Sequence, residues 1–299
     1  MKSKTYQITI IPVLVLFLIL GTSHTLYQIK TTINHQIYGT PRGQIGAETP
    51  EDLDLPYEQI QFESEDGVIL QGWFIDNTQT RKVVIIAPGR GANRWSVISA
   101  APLLYEGGYD VLLFDPRTTG LSGGRKYGFG YFESIDLVNA TKYLLEEKNC
   151  TEVAILGGSA GATAAILAAT ESDRIDAVIA DSPYANLRRV VASQGEYGDD
   201  LALRFLFPLY MSLAQWSLGV DIYRETNALR KIQHLDTPVL FIHGKGDKIL
   251  PWQHSQRLYE NKKGVKEAWY PEQAGHVESY LKYPDEYSQK INKFLDQHM

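Results

Sequence analysis

AILGGSAGATAAILAA, residues 154–169, is the stretch from which the fold is read. An apolar run stops at two glycines, shows one serine, and restarts as an alanine-rich helix. The first half has the continuous hydrophobicity of a strand buried on both faces. Ala160, Ala162, Ala164 and Ala165 let the following helix approach that strand closely. A strand that turns this sharply holds the intervening residue in a strained conformation, with room only for very small side chains two positions to either side. Gly157 and Gly161 meet that need. The turn lifts the Ser159 hydroxyl above the sheet edge. The Ala160 amide, at a helix N-terminus, then points toward any negative oxygen formed nearby.

Outward from this turn, strand-like and helix-like runs alternate. KVVIIAPG, DVLLFD, EVAILGG, AVIADS and PVLFIHG read as strands of a parallel sheet buried on both faces. YEQIQFES and VILQGWFID flank Asp66-Gly67, a hairpin signal, ahead of them. Helices are expected over Val97–Glu106, Phe132–Glu147, Ala160–Thr170 and Ser255–Asn261. Alternation of this kind predicts an α/β fold, a mostly parallel twisted sheet with helices on both faces, opened by an antiparallel hairpin. Active sites in such sheets lie beyond the carboxyl ends of the strands. Between residues 185 and 230 the alternation lapses into a strongly apolar stretch, LALRFLFPLYMSLAQWSLGVD, broken at Pro208. Its place predicts a small helical cap over the sheet, with Phe205, Phe207, Tyr210 and Trp216 as a core stripe or a binding wall.

A serine hydroxyl needs a base, and the base an acid to orient it. Asp247 follows the strand PVLFIHG in the loop KGDKILP, and His276 lies on a glycine-bearing loop near the C-terminus, so the chain order is Ser159, Asp247, His276. The competing side chains have plainer readings. Asp181 and Ser182 end a strand, where the first reads as a cap and the second as a turn residue. His243 reads as a packed, hydrogen-bonded histidine and His254 as exposed. Arg117 and Ser122 read as braces of the loop after the fourth strand.

Composition sets limits on partners. With a net charge of −6 and no dense Lys/Arg run, the 299 residues carry no electrostatic footprint for nucleic acid. The single cysteine, Cys150, cannot close an internal disulfide, and the scattered histidines have no metal-ligand spacing, so neither metal nor organic cofactor is expected. Residues 1–30 differ in kind. Lys2 and Lys4 precede the apolar run Ile8–Leu20, and no formal charge appears between Lys4 and Lys30. That uncharged length exceeds the roughly 20 residues that span a bilayer as a helix, while the apolar run itself suits a signal peptide. The expectation is one N-terminal membrane helix with the catalytic domain outside the cytoplasm, or else secretion after signal cleavage. Residues 31–56, polar and rich in Gly and Pro, read as a linker to a catalytic domain over 57–299.

From Tyr57 onward the chain resembles the α/β-hydrolases, in which nucleophile, acid and histidine follow in this order and the nucleophile stands on a Gly-x-Ser-x-Gly elbow. It is most similar to the monoacylglycerol-lipase-like and serine-aminopeptidase-like members and the membrane-tethered, small-capped group. EDGVILQGWF resembles their opening hairpin, FDPRTTGLSGG their loop after the fourth strand, and HGKGDKILP their acid loop. Two departures stand out. Pro88-Gly89-Arg90-Gly91 replaces the family's His-Gly after the first parallel strand, and RTTG replaces Arg-Gly-x-Gly. The resemblance implies catalytic Ser159, Asp247 and His276, with the Arg90 amide joining that of Ala160 as the oxyanion hole. The implied activity is hydrolysis of a carboxylic ester of a small acyl or lipid-like substrate. Aminopeptidase or thioesterase activity of the same fold, or a catalytically inactive membrane-tethered binding protein, are the alternatives; oligomeric state is unread.

Overall fold

The computed structural model describes residues 46–78, 80–193 and 201–299, with scattered positions between 21 and 31 and without the side chains of 191–208 and 210. The Ile8–Leu20 segment, on which the membrane expectation rests, lies outside the described residues. Among the described residues no helix is long and apolar enough to cross a membrane.

Eight strands form one sheet in the order β1-β2-β4-β3-β5-β6-β7-β8. β1 (Tyr57–Glu63) and β2 (Ile69–Ile75) make the predicted hairpin, and β2 pairs antiparallel with β4 (Asp110–Phe114). Gly67 turns the hairpin at φ 79°. The remaining pairs are parallel: β4 with β3 (Lys82–Ala87), then β5 (Glu152–Gly158), β6 (Ala177–Asp181), β7 (Val239–Ile242) and β8 (Lys266–Trp269).

Period-two alternation divides the strands between two apolar layers. Val83, Ile85, Val153, Ile155, Val178 and Phe241 face one layer, closed by α2 (Tyr131–Glu147), α3 (Ala160–Glu171) and α8 (Gln253–Asn261). Val84, Ile86, Ala154, Leu156, Ile179 and Ile242 face the other. There α1 (Ala101–Glu106) packs together with the C-terminal α10 (Pro284–His298), which follows the short α9 (Ser279–Lys282) and buries Tyr287, Ile291, Phe294 and Leu295 at helical spacing. Each of those α10 side chains contributes on the order of 2 kcal/mol by leaving water.

The packed structure begins before Tyr57. Pro50–Leu53 form a 3-10 turn and Leu55 sits in the second layer, so the linker ends earlier than its Gly/Pro composition suggests. Between β6 and β7 the chain forms α4 (Leu187–Ser193), α5 (Leu201–Leu218), α6 (Ile222–Glu225) and α7 (Ala228–Lys231). Contrary to the expected break, α5 runs through Pro208. A proline inside a helix removes one backbone hydrogen bond, and the helical turns on either side persist. Met211, Ala214 and Leu218 pack with Tyr127, Ala160, Tyr184, Leu187 and Ile222 on the helical side of the turn at Ser159. Trp216, read as part of a core or binding stripe, is 84% exposed.

Candidate active site

The sharp turn after β5 is present. Ser159 has φ 55° and ψ −118°, and α3 begins at Ala160. The Ser159 amide donates to the Asp181 carbonyl at 2.8 Å, and its carbonyl accepts from Thr163 N–H at 3.1 Å. The small neighbours are a steric requirement. A Cβ on Gly157 would lie 2.5 Å from the Gly161 carbonyl oxygen, and one on Gly161 would lie 2.2 Å from that of Ala87. Both obstacles are backbone, which cannot step aside. A Cβ on Gly89 would stand 3.3 Å from the Ser159 Cβ, so the Pro88–Arg90 loop passes close beside the hydroxyl. The Arg90 guanidinium lies over the rings of Tyr127 and Phe129, at 5.5 and 5.7 Å.

The fold brings Ser159, His276 and Asp247 together from three separate strand ends. His276 Nε2 is 2.9 Å from Ser159 Oγ, and its Nδ1 is 2.7 Å from Asp247 Oδ2. The other carboxylate oxygen of Asp247 accepts from the amides of Ile249 and Leu250, each at 2.8 Å. Burial alone would raise the pKa of this carboxyl, but hydrogen bonds from His243, His276 and the Leu250 amide outweigh it and hold the group well below the usual carboxylate range.

His243 does more than pack. Its Nε2 lies 3.0 Å from Asp247 Oδ2 and 2.9 Å from the Leu250 carbonyl oxygen, while its Nδ1 lies 2.7 Å from Ser255 Oγ. Two acceptors at Nε2 put the ring proton there, so Nδ1 accepts from the Ser255 hydroxyl. Asp247 Oδ2 thus faces two imidazoles. The HG before the acid loop is visible in the sequence, but not its reach to a carboxylate four residues on.

Asp181 also stands at this edge, buried, with Oδ1 accepting from Ser182 Oγ at 2.9 Å. Burial pushes its pKa up to about 6, against the opposing effects of the Ser182 hydroxyl and the His243 and His276 rings. It caps no helix; Asn186 Oδ1 takes that role, accepting from Arg189 N–H at 3.3 Å. Ser182 Oγ in turn accepts from Val277 N–H at 3.2 Å, beside His276. Ser159, Ser182 and Val277 each have φ 55°, so non-glycine residues in the left-handed region gather around one site. Such conformations cost roughly 1–3 kcal/mol apiece and persist only where the surroundings over-determine them.

The remaining sequence readings resolve as follows. Arg117 is buried, pairing with Asp136 at 2.6 Å and Asp66 at 2.8 Å, and so ties the hairpin turn to α2. Ser122 Oγ donates to the Asp115 carbonyl at 2.6 Å and accepts from Gln71 N–H at 2.8 Å. Both are braces. His254 is buried rather than exposed, because its Nδ1 accepts the Ala185 amide; burial and the neighbouring His243 lower its pKa to about 4. Cys150 is buried, which pushes its thiol up to about 12.

A cavity of about 490 Å³ opens at Ser159 and His276. Ile86 and Leu156 line its base, Val97 and Ala100 one wall, and Tyr280 and Tyr287 the other. Tyr280 donates to the Ser99 carbonyl at 3.2 Å, joining the two walls. None of the described residues of the 185–230 insertion lines this cavity. The described cap side chains Met211, Ala214 and Leu218 belong instead to the cluster of Tyr127 and Ala160.

Comparison with known proteins follows the same geometry. Residues 82–205 match the family model described as alpha/beta hydrolase fold. YqkD of Bacillus subtilis is 30% identical over 92% of this chain and 90% of its own length. The protein bem46 of Schizosaccharomyces pombe is 25% identical over 76% of this chain and 72% of its own. Among solved structures, the Pyrococcus furiosus esterase Pf2001 superposes with a TM-score of 0.73 at 30% identity, covering 86% of this chain and 98% of the esterase.

Proposed function

The chain belongs to the α/β-hydrolase family, and from that premise we propose that it is a serine hydrolase cleaving a carboxylic ester of an acyl or lipid-like substrate. The observation that carries the reading is the unbroken line from Ser159 Oγ through His276 to Asp247, with steps of 2.9 and 2.7 Å. A serine hydroxyl is a weak nucleophile until a base takes its proton. In the proposed reaction Ser159 Oγ attacks the carbonyl carbon while its proton passes to His276 Nε2. Ionised Asp247 keeps the neutral ring's proton on Nδ1 and stabilises the imidazolium once formed. The amides of Arg90 and Ala160 receive the negative oxygen of the tetrahedral intermediate. His276 then gives its proton to the departing alkoxide. A water deprotonated by the same ring releases the acid and restores Ser159. No metal or organic cofactor takes part. Likeness to an esterase supports the ester bond over amide or thioester.

Replacing Ser159 by alanine is expected to cut turnover of short-chain esters by a factor on the order of 10⁴ to 10⁶. A fluorophosphonate probe should label the wild type and not the variant. A folded wild-type protein inert to both esters and probe would instead favour a binding protein that keeps the fold without chemistry. The Ile8–Leu20 segment belongs to the proposal as a single N-terminal membrane anchor with the hydrolase domain extracytoplasmic. Recovery of the full-length chain from alkaline-washed membranes supports the anchor, and recovery of a shortened soluble chain supports signal cleavage.

A further inference from the structure

The base of the cavity beside Ser159 holds a carboxyl with one oxygen unmet. Asp181 ends β6 next to the nucleophile's own strand, where it pairs with Gly158. Alternation along β6 puts its side chain on the face of Ile179, the layer to which Ile86, Leu156 and Tyr287 of the cavity lining belong. Asp181 itself lines the cavity and is 1% exposed. Its Oδ1 accepts from Ser182 Oγ, whereas Oδ2 is buried and has no hydrogen-bond partner. The Tyr287 hydroxyl lies close enough to the carboxyl to favour its ionised form but outside hydrogen-bond geometry to Oδ2, and the His243 and His276 rings are the other nearby titratable groups. With a pKa of about 6 the group is mainly an anion at neutral pH. Buried carboxylates are costly unless paired, and an unmet acceptor in a substrate cavity calls for a donor from outside the fold.

We propose that Asp181 is a specificity-determining residue whose Oδ2 accepts a charge-assisted hydrogen bond from an ammonium group carried close to the reacting carbonyl on the acyl part of the substrate. The substrate class is then aminoacyl esters in preference to esters of unsubstituted acyl chains. The inference rests on the hydrolase reading, which makes Ser159 the reacting atom.

The test compares isosteres that exchange ammonium for methyl: β-alanine ethyl ester against ethyl butyrate, and glycine ethyl ester against ethyl propionate. Each kcat/KM is divided by that ester's rate of alkaline hydrolysis, to remove intrinsic reactivity. The wild type should favour the ammonium member by on the order of tenfold or more, the worth of a hydrogen bond to a charged group. Asp181→Asn keeps the acceptor for Ser182 and should bring the ratio to one or below. A wild-type ratio below one, unmoved in Asp181→Asn, overturns the inference. A second measurement avoids chemistry: the melting temperature of the Ser159→Ala protein should rise more with β-alanine ethyl ester than with ethyl butyrate. Plain esters hydrolysed without that difference sink the ammonium site and leave the hydrolase. An inert wild type whose Ser159→Ala variant still shows the difference sinks the hydrolase and keeps the site.

Discussion

Asp181 and Asp247 stand at the carboxyl ends of neighbouring strands, both buried and both close to the His276 ring, yet the fold treats them in opposite ways. Asp247 is met at both oxygens by two imidazoles and two backbone amides. Asp181 has the Ser182 hydroxyl on one oxygen and no well-aligned hydrogen bond on the other, with the Tyr287 hydroxyl nearby. Burial works against the charged form of both carboxyls. The donors decide the outcome, lowering the pKa of Asp247 and leaving that of Asp181 at about 6. Position on the sheet therefore does not make a carboxylate the partner of a histidine. A turn that aims amides at it does, and the KGDKILP loop supplies that turn.

The sharpest way to break this comparison is Asp247→Asn. If Asp247 orients the imidazole, the amide presents the wrong hydrogen-bonding pattern to Nδ1 and kcat should fall by on the order of 10⁴. A loss smaller than tenfold would mean that Asp181, one strand away, takes over the acid's role.

What could be read from the sequence follows the same division between local and tertiary causes. Ser159, Asp247 and His276, which the fold brings together, were each legible because a local rule marks them: small residues about a tight turn, a polar loop after a buried strand, a glycine-bearing loop in the right order. β8 has no strand signature in the sequence because KEAW is a short edge strand with no fully buried side chain. α10 is harder to read although Tyr287, Ile291, Phe294 and Leu295 recur at helical spacing, because polar and charged residues outnumber them along the segment. His254 and Asp181 were misread for a different reason. The Ala185 amide that buries the first comes from far along the chain, and the unmet oxygen of the second follows from which side chains share its layer. Neither fact is written near the residue concerned.

The opposite pKa shifts also make a stability prediction with a definite sign. Asp181 binds its proton more tightly when folded, at about 6 against an ordinary 3.8. Between those values the native state holds a proton that the unfolded chain has released, so the contribution of this group to stability falls as pH rises through the window. The gap corresponds to about 3 kcal/mol, fully expressed above pH 6. Asp181→Asn removes the group that titrates. Urea unfolding at pH 4 and pH 7 should show the variant gaining on the wild type as pH rises, by up to about that amount. Asp247 behaves in reverse, since its depressed pKa makes a stabilising contribution that is lost only on strong acidification. A difference between wild type and Asp181→Asn that does not vary with pH would mean that Asp181 has found a partner for its second oxygen.

The smallest effect tests whether left-handed backbone is tolerated for function or merely carried. Ser159 and Val277 line the cavity and Ser182 is bonded to Val277, but Thr118, at φ 69°, lies in the loop after β4. Its backbone N–H donates to the Gly123 carbonyl at 2.8 Å, while its buried hydroxyl has no partner. A β-branched residue is poorly suited to this conformation, and glycine adopts it freely. Thr118→Gly would relieve the strain and remove the unmet hydroxyl, at the cost of a more flexible unfolded chain. The balance favours the variant by roughly 0.5–1 kcal/mol, to be read as a higher urea midpoint with unchanged slope. Ester turnover should stay as it is, because Thr118 lines neither the cavity nor the His276 loop. Loss of turnover with a gain in stability would tie the loop after β4 to the site and give its strain the same standing as that at Ser159.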